Sequence, residues 1–206
     1  VEDLRAPIKD ALRWIAEQKR GLVELPTALG ETSPRNLSTS GRKHLSRYVE
    51  GLGLGIAALT ADIPGLRLTE ARSVDERVER TCEAIDLARE LRVGIVTASV
   101  GSLTHPESGA VSDVGAAALR RIGEFADSRG VVYAIRPSQD PADRVGRVFA
   151  ELGCPSLGLA LDPAAMVMHG VNPMALLDRL GRDVSMIHAR DATAGLPGHP
   201  GHETKF

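Results

Sequence analysis

Six short apolar runs, each followed by a stretch with helical spacing, constrain what this chain can fold into more than any other feature. The runs cover 21–25, 52–60, 93–97, 131–135, 157–161 and 184–188 and begin roughly 25 to 40 residues apart, room enough for a helical crossover between parallel strands. A parallel sheet is covered on both faces, so its strands read as continuous apolar runs. The pattern predicts an α/β protein on a parallel sheet. Two runs end in reactive side chains, the one at 157–161 in Asp162 and the last in His188, Arg190 and Asp191. Alternation along a strand puts Met186, His188 and Arg190 on one side and Ile187 and Ala189 on the other. Ligands in parallel α/β folds sit at the carboxyl ends of the strands, so Asp162 and His188 are expected as neighbours in one site.

The connecting segments read as helices. Leu4, Ile8, Leu12 and Ile15 give an amphipathic helix over 5–19, and Leu45 and Val49 face inward from a helix over 40–51. Ser73 with Glu76 three residues later is a capping-box signature opening a long helix with Val78, Cys82, Ile85 and Leu91 on one side. Further helices place Leu119, Ile122 and Ala126, and then Val145, Val148, Phe149 and Leu152, toward the core; Asn172 and Pro173 begin another. An eight-fold barrel and an open doubly wound sheet share this alternation. Two facts favour the barrel: no glycine fingerprint joins a strand to a helix, and polar residues recur at nearly every strand end. The Gly51-Leu52-Gly53-Leu54-Gly55 run enters a strand instead of leaving one, so it is not a nucleotide loop.

With 206 residues, 43% of them hydrophobic and 25% charged, the chain can bury one sizeable core, and a single domain over 1–206 is expected. A net charge of -2 supplies no general basic surface, which argues against a protein that works by gripping nucleic acid phosphates. No run approaches the ~18 apolar residues of a membrane span and the start has no secretory pattern, so a cytoplasmic protein is expected. Cys82 and Cys154 lack metal-type spacing and read as reduced thiols. Homo-oligomerisation is left open. The chain begins at Val1 and stops at Phe206, just after a Gly/Pro/His-rich loop, and both ends are expected to be cut.

Several pieces, taken in order, carry a family resemblance: Leu22-Val23-Glu24-Leu25, Leu37-Ser38 with Gly41-Arg42, Gly51-Leu52-Gly53-Leu54 leading to Ala57-Ala58-Leu59, Ala84-Ile85-Asp86-Leu87-Ala88, Leu157 to Asp162 with Pro163-Ala164, and Ile187-His188-Ala189-Arg190-Asp191-Ala192. Together they resemble the xylose isomerase-like TIM barrels, which comprise sugar phosphate isomerases and epimerases and the endonuclease IV type of DNA repair enzyme (AP endonuclease family 2). The resemblance implies an incomplete (β/α)8 TIM barrel holding strands two to seven, with the first and eighth outside the chain. It also implies a divalent metal ion (manganese, magnesium, zinc or cobalt), held by a glutamate ending strand five, an aspartate ending strand six, a histidine on strand seven and a glutamate on strand eight. Asp162 and His188 match the middle two. Arg136 stands at the strand-five position, the strand-eight residue falls beyond Phe206, and Ala165 replaces a further histidine often found three residues after the aspartate.

The departures bear on the chemistry. In the family the two glutamates bind metal and move a proton between adjacent sugar carbons while the metal stabilises the enediolate. A guanidinium neither ligates a cation nor acts as a base at neutral pH. Either Arg136 fills the space of the ion, in a fork-like pair with Asp162, or a metal is still gathered by Asp162, His188, the missing glutamate and water. His188, Asp162 and Arg136 are the candidate catalytic residues, with Asp162 and His188 the candidate metal ligands. Glu24, Arg190, Asp191 and Glu203 are the candidate substrate-binding residues, Glu203 as part of the 196–203 loop expected at the substrate mouth.

Blander readings stand beside these. His188 could be a structural histidine, Asp162 could cap the loop after it, Arg190 with Asp191 could bridge loops, and Glu24 could face solvent. His105 and His169 read as surface groups, and His199 and His202 sit in a glycine-rich loop that does not fix them as ligands. The leading function is a sugar or sugar-phosphate isomerase or epimerase transferring a proton next to a carbonyl, with a small-molecule sugar or sugar phosphate as partner. A non-catalytic sugar-binding protein on the same fold is the alternative. An abasic-site endonuclease ranks third, because it needs a cluster of roughly three metal ions with many His and carboxylate ligands.

Overall fold

A computed structural model describes residues 6–105, 107–137, 139–190, 192–194 and 201–203. All six expected strands form: β1 (Leu22–Pro26), β2 (Gly55–Thr60), β3 (Ile95–Ser99), β4 (Val132–Arg136), β5 (Leu157–Leu161) and β6 (Val184–Ile187). They make one six-stranded sheet, all parallel, in which the order across the sheet is the order along the chain. A doubly wound sheet reverses its order at a switch point, whereas a barrel adds each strand beside the last. The sheet is therefore an arc of a TIM barrel.

Helices α1 (Ile8–Glu17), α2 (Thr39–Gly51), α3 (Val74–Leu91), α4 (Asp113–Arg129), α5 (Ala142–Leu152), α6 (Pro163–Met168) and α7 (Pro173–Leu180) accompany the strands. Their ends follow the sequence closely. Ser38, Ser112 and Asn172 accept hydrogen bonds from Gly41, Gly115 and Met174 backbone N–H groups at the starts of α2, α4 and α7. The capping box expected at Ser73 does not form. The Ser73 hydroxyl turns back onto the Arg67 and Glu70 carbonyls and holds the loop before α3 instead. The short helix α6 was not anticipated; it starts at Pro163 directly after β5.

Register separates the two faces of the sheet. Leu25, Leu59, Val96 and Tyr133 form one row, with Ile135 and Leu159 in the next row on that face, and all are buried. They pack with Leu119, Ile122, Val145, Val148 and Leu176 of the helices into one core. The opposite face carries Thr60, Thr97, Ala134 and Gly158 in a single row, small or polar where the large apolar chains are on the other side. The two outer strands depart from the expectation of burial on both faces. Leu22 on β1 is 67% exposed and Ile187 on β6 is 54% exposed, because each belongs to a strand paired on one side only. A two-residue antiparallel ribbon, β7 (Ala192–Thr193) with β8 (His202–Glu203), follows β6. No helix among the described residues is long and apolar enough to cross a membrane.

Gly158 marks the tightest point of the sheet. A Cβ there would lie 2.8 Å from Val132 Cγ1 and would press on the Ser185 hydroxyl and on the Asp183 carbonyl side of the β6 entry. Replacement by alanine must push β4 or β6 aside, since interiors packed at crystal-like density have no slack to absorb a methyl. Gly158→Ala is expected to lower stability by about 1–3 kcal/mol in urea unfolding. Gly94→Ala, where a Cβ would meet nothing within 4 Å, is expected to leave the midpoint almost unchanged.

Candidate active site at the strand ends

The alternation of β1 sends Val23 and Leu25 into the core and turns Glu24 to the inner face of the arc. There its Oε2 meets Nε2 of His188 at 2.8 Å, although 164 residues separate them. Glu24 Oε1 accepts from the Thr97 hydroxyl, which in turn is 3.2 Å from the Thr60 hydroxyl in the same row of the sheet. Both members of the Glu24–His188 pair are largely shielded, with side chains 20% and 13% exposed. Burial by itself would raise the carboxyl pKa of Glu24. Hydrogen bonds from His188, Thr60 and Thr97, together with the imidazole charge, outweigh it and hold the pKa at about 2. Nε2 of His188 faces this carboxylate, and Nδ1, the other ring nitrogen, is buried and has no hydrogen-bond partner among the described residues.

Asp162 sits beside His188. The His188 backbone N–H donates to the Leu161 carbonyl at 2.8 Å, carrying the β5–β6 ladder one step past β6 and placing the two residues at adjacent strand ends. Asp162 Oδ1 accepts from the Ala165 N–H at 3.0 Å and so caps α6, and Oδ2 accepts from Arg190 Nη2 at 2.5 Å. Its capping and its pairing coexist: the loop-capping role and the pocket position are one residue's two oxygens.

Arg136 does not pair with Asp162. Its guanidinium is bound to Asp62 Oδ2, while the other oxygen of Asp62 accepts from the Ser99 backbone N–H. The register explains the choice: Arg136 lies opposite Ser99, so the carboxylate anchored on the end of β3 is within reach, and both oxygens of Asp162 are already engaged. Asp62 was not singled out from the sequence, although it ends the polar tip Thr60-Ala61-Asp62 of β2; strand-end position was its only signal.

The rim thus holds three acid–base pairs, Glu24–His188, Asp62–Arg136 and Asp162–Arg190. Asp191 and the loop residues 195–200, His199 among them, lie outside the described residues, as does the side chain of Glu203, whose backbone pairs with Ala192. His202 is exposed and bonds Thr193; His105 and His169 are exposed. Cys82 is a free thiol that burial pushes up to about 11, away from nucleophilic character at neutral pH.

The donor set does not fit a divalent ion. Both oxygens of Asp162 and both of Glu24 are taken by neighbours, Nε2 of His188 is taken by Glu24, and a guanidinium occupies the end of β4. One open donor, Nδ1 of His188, remains, where a protein site for such an ion supplies about three or more. No group of three or more His, Cys, Asp or Glu side chains among the described residues is arranged to hold a metal. The endonuclease reading, with its larger ligand cluster, loses its support among these residues.

Two measurements follow from this geometry. A carboxyl depressed from 4.5 to about 2 contributes stability that is present above 4.5 and is lost as the pH falls from there toward 2, on the order of 3 kcal/mol in all. Urea unfolding of the wild type is expected to weaken across that window more steeply than unfolding of Glu24→Gln, which has no such proton to take up. Calorimetric titration with manganese is expected to give no saturable site in the wild type, and Arg136→Glu is expected to gain one by returning a carboxylate next to Asp162 and His188; tight manganese binding by the wild type would contradict the assignment.

The comparisons agree with the fold. The family model of the xylose isomerase-like TIM barrel matches residues 12–205. Among solved structures, a xylose isomerase domain protein from Planctomyces limnophilus superposes with a TM-score of 0.83 at 19% identity, covering 94% of this chain and 74% of that one. A xylose isomerase-like TIM barrel protein from Mycobacterium smegmatis, solved in complex with magnesium, gives 0.75 at 16% identity over 97% and 74% of the two chains. A D-tagatose 3-epimerase-like protein gives 0.70 at 21% identity over 86% and 70%. No curated protein matches the sequence. The sequential parallel arc, the polar strand ends and the match over nearly the whole chain lead to one conclusion: this chain belongs to the xylose isomerase-like TIM barrel family.

Proposed function

We propose that the strand-end site binds a sugar or sugar phosphate and moves a proton at the carbon next to its carbonyl, as an isomerase or epimerase does. The observation that carries this reading is the contact of His188 with Glu24: Nε2 lies 2.8 Å from the carboxylate and Nδ1 has no hydrogen-bond partner among the described residues, so a ring that carries its hydrogen on Nε2 has Nδ1 open as a base. In that state Nδ1 accepts the proton from the carbon beside the carbonyl, and the resulting imidazolium is stabilised by Glu24 at 2.8 Å. Arg136 and Arg190, held in place by Asp62 and Asp162, direct guanidinium N–H groups toward the oxygens of the enediolate. In isomerisation the imidazolium then gives the proton to the neighbouring carbon while the hydroxyl proton of the enediolate passes to its other oxygen, which moves the carbonyl by one carbon; in epimerisation the proton returns to the same carbon from a second acid on the opposite face. No step runs through a metal.

A second reading, binding without turnover, is favoured by one observation: an arginine stands at the end of β4, and Glu24, Asp62 and Asp162 are each closed into an ion pair. Incubation with a panel of ketoses and ketose phosphates in deuterated water separates the two. Turnover is expected to place deuterium on the carbon next to the carbonyl, as read by proton NMR, and His188→Gln is expected to slow that exchange at least ~100-fold. Saturable sugar binding with no exchange in the wild type would establish the second reading; neither exchange nor binding would remove both.

A further inference from the structure

A separate cavity of about 520 Å³ opens on the same end of the sheet, between the loops after β2 and β3 and the start of α4. Its described walls include five hydroxyl side chains, Thr69, Ser99, Ser102, Thr104 and Ser112, and no carboxylate. They also include Arg77, which is 2% exposed. The Arg77 guanidinium donates to the Ile63 and Ser99 carbonyls at 3.3 Å each, its Nε has no hydrogen-bond partner, and among the described residues no carboxylate pairs with it. Arg67 and His105 add exposed basic groups at the edge.

A guanidinium taken out of water without a counter-charge is costly, and two neutral carbonyls compensate it only in part. Elsewhere in this molecule the buried or half-buried arginines at the strand ends have carboxylate partners. Arg77 is the exception among them, and it borders open space. The carboxylate of Asp140 accepts from Ser102, Thr104 and the Leu103 N–H and so shapes the loop that forms the wall. The hydroxyls of Ser99 and Thr69 line the cavity and can donate into it.

We propose that this cavity seats the anionic group of a ligand, a phosphate or a carboxylate, against Arg77. Ser99 links it to the strand-end site, since its N–H is bound to the Asp62 that pairs with Arg136 and its carbonyl is bound to Arg77. Where the ligand is the substrate, this inference rests on the proposed function, and the cavity takes the phosphate end of a sugar phosphate whose carbonyl lies at His188.

Titration calorimetry with inorganic phosphate, and separately with a ketose and the same ketose as its phosphate ester, tests the assignment. Inorganic phosphate is expected to bind saturably to the full chain. Arg77→Met is expected to weaken that binding at least tenfold, through loss of a charge-assisted contact. Because Arg77 also supports two carbonyls and its replacement risks the fold, Ser99→Phe serves as a second variant: the Ser99 side chain is exposed, only its backbone is used by the protein, and a ring there fills the opening. It is expected to cost phosphate at least tenfold as well. Absence of phosphate binding, or binding that Ser99→Phe leaves intact, overturns the site. If the ketose phosphate binds at least tenfold more tightly than the ketose and Ser99→Phe closes that gap, the anion belongs to the substrate. Phosphate binding that is sensitive to Ser99→Phe while neither sugar binds supports an anion site and counts against the proposed function alone.

Discussion

The contact between Glu24 and His188 is the one on which the strand-end site depends. It joins the first strand of the arc to the residue just past the sixth, across the inner face of the sheet, and it helps to hold Glu24 ionised. A carboxylate buried among threonines would be driven toward its neutral form by desolvation; here hydrogen bonds and a facing imidazole reverse the direction. Nε2 of His188 is the nitrogen that faces this carboxylate, and Nδ1 is the one left without a hydrogen-bond partner among the described residues. The same logic governs the other two pairs at the rim. Each charge removed from water is met by an opposite charge or by backbone N–H groups, as with Ser99 on Asp62 and Ala165 on Asp162.

The fold was legible because it rests on patterns local to the sequence. Apolar runs of strand length at crossover spacing have few arrangements open to them, and the absence of a glycine fingerprint pointed toward the sequential order that the sheet adopts. What failed locally failed for tertiary reasons. Ser73 and Glu76 have the spacing of a capping box, yet the loop before α3 offered Ser73 carbonyls at Arg67 and Glu70. The last strand looked fully buried, but composition along a strand does not reveal whether the sheet continues past it.

The site was legible only in part, and the boundary is physical. Strand-end position singles out Asp162 and His188, and register then brings them together. Pairing is another matter. Which carboxylate Arg136 takes is decided by the register of β3 with β4 and by the Ser99 N–H that anchors Asp62, neither of which a single strand displays. Glu24 could have faced water as readily as the interior; alternation along β1 gives it the face opposite Val23 and Leu25, but the partner that shields it, His188, comes from the far end of the chain.

The arginines show how far a charge change propagates on a shared scaffold. A glutamate at the end of β4 would stand near Asp162 and would repel it unless a cation lay between, so an acidic residue there makes a metal part of the electrostatic balance. An arginine reverses that requirement: it is itself the cation, it needs a carboxylate, and Asp62 supplies one while Arg190 neutralises Asp162. These carboxylates are then balanced by guanidinium groups, and in the proposed reaction guanidinium N–H groups would stabilise the developing oxyanion. Such donors act by direction as well as by charge, each N–H pointing along a fixed axis of a planar fork, so the ligands they suit are flat or doubly acidic groups such as an enediolate or a carboxylate. Arg77 is the limiting case, a buried guanidinium bonded to two carbonyls with no carboxylate partner among the described residues, a charge that a bound anion would complete in the proposed site.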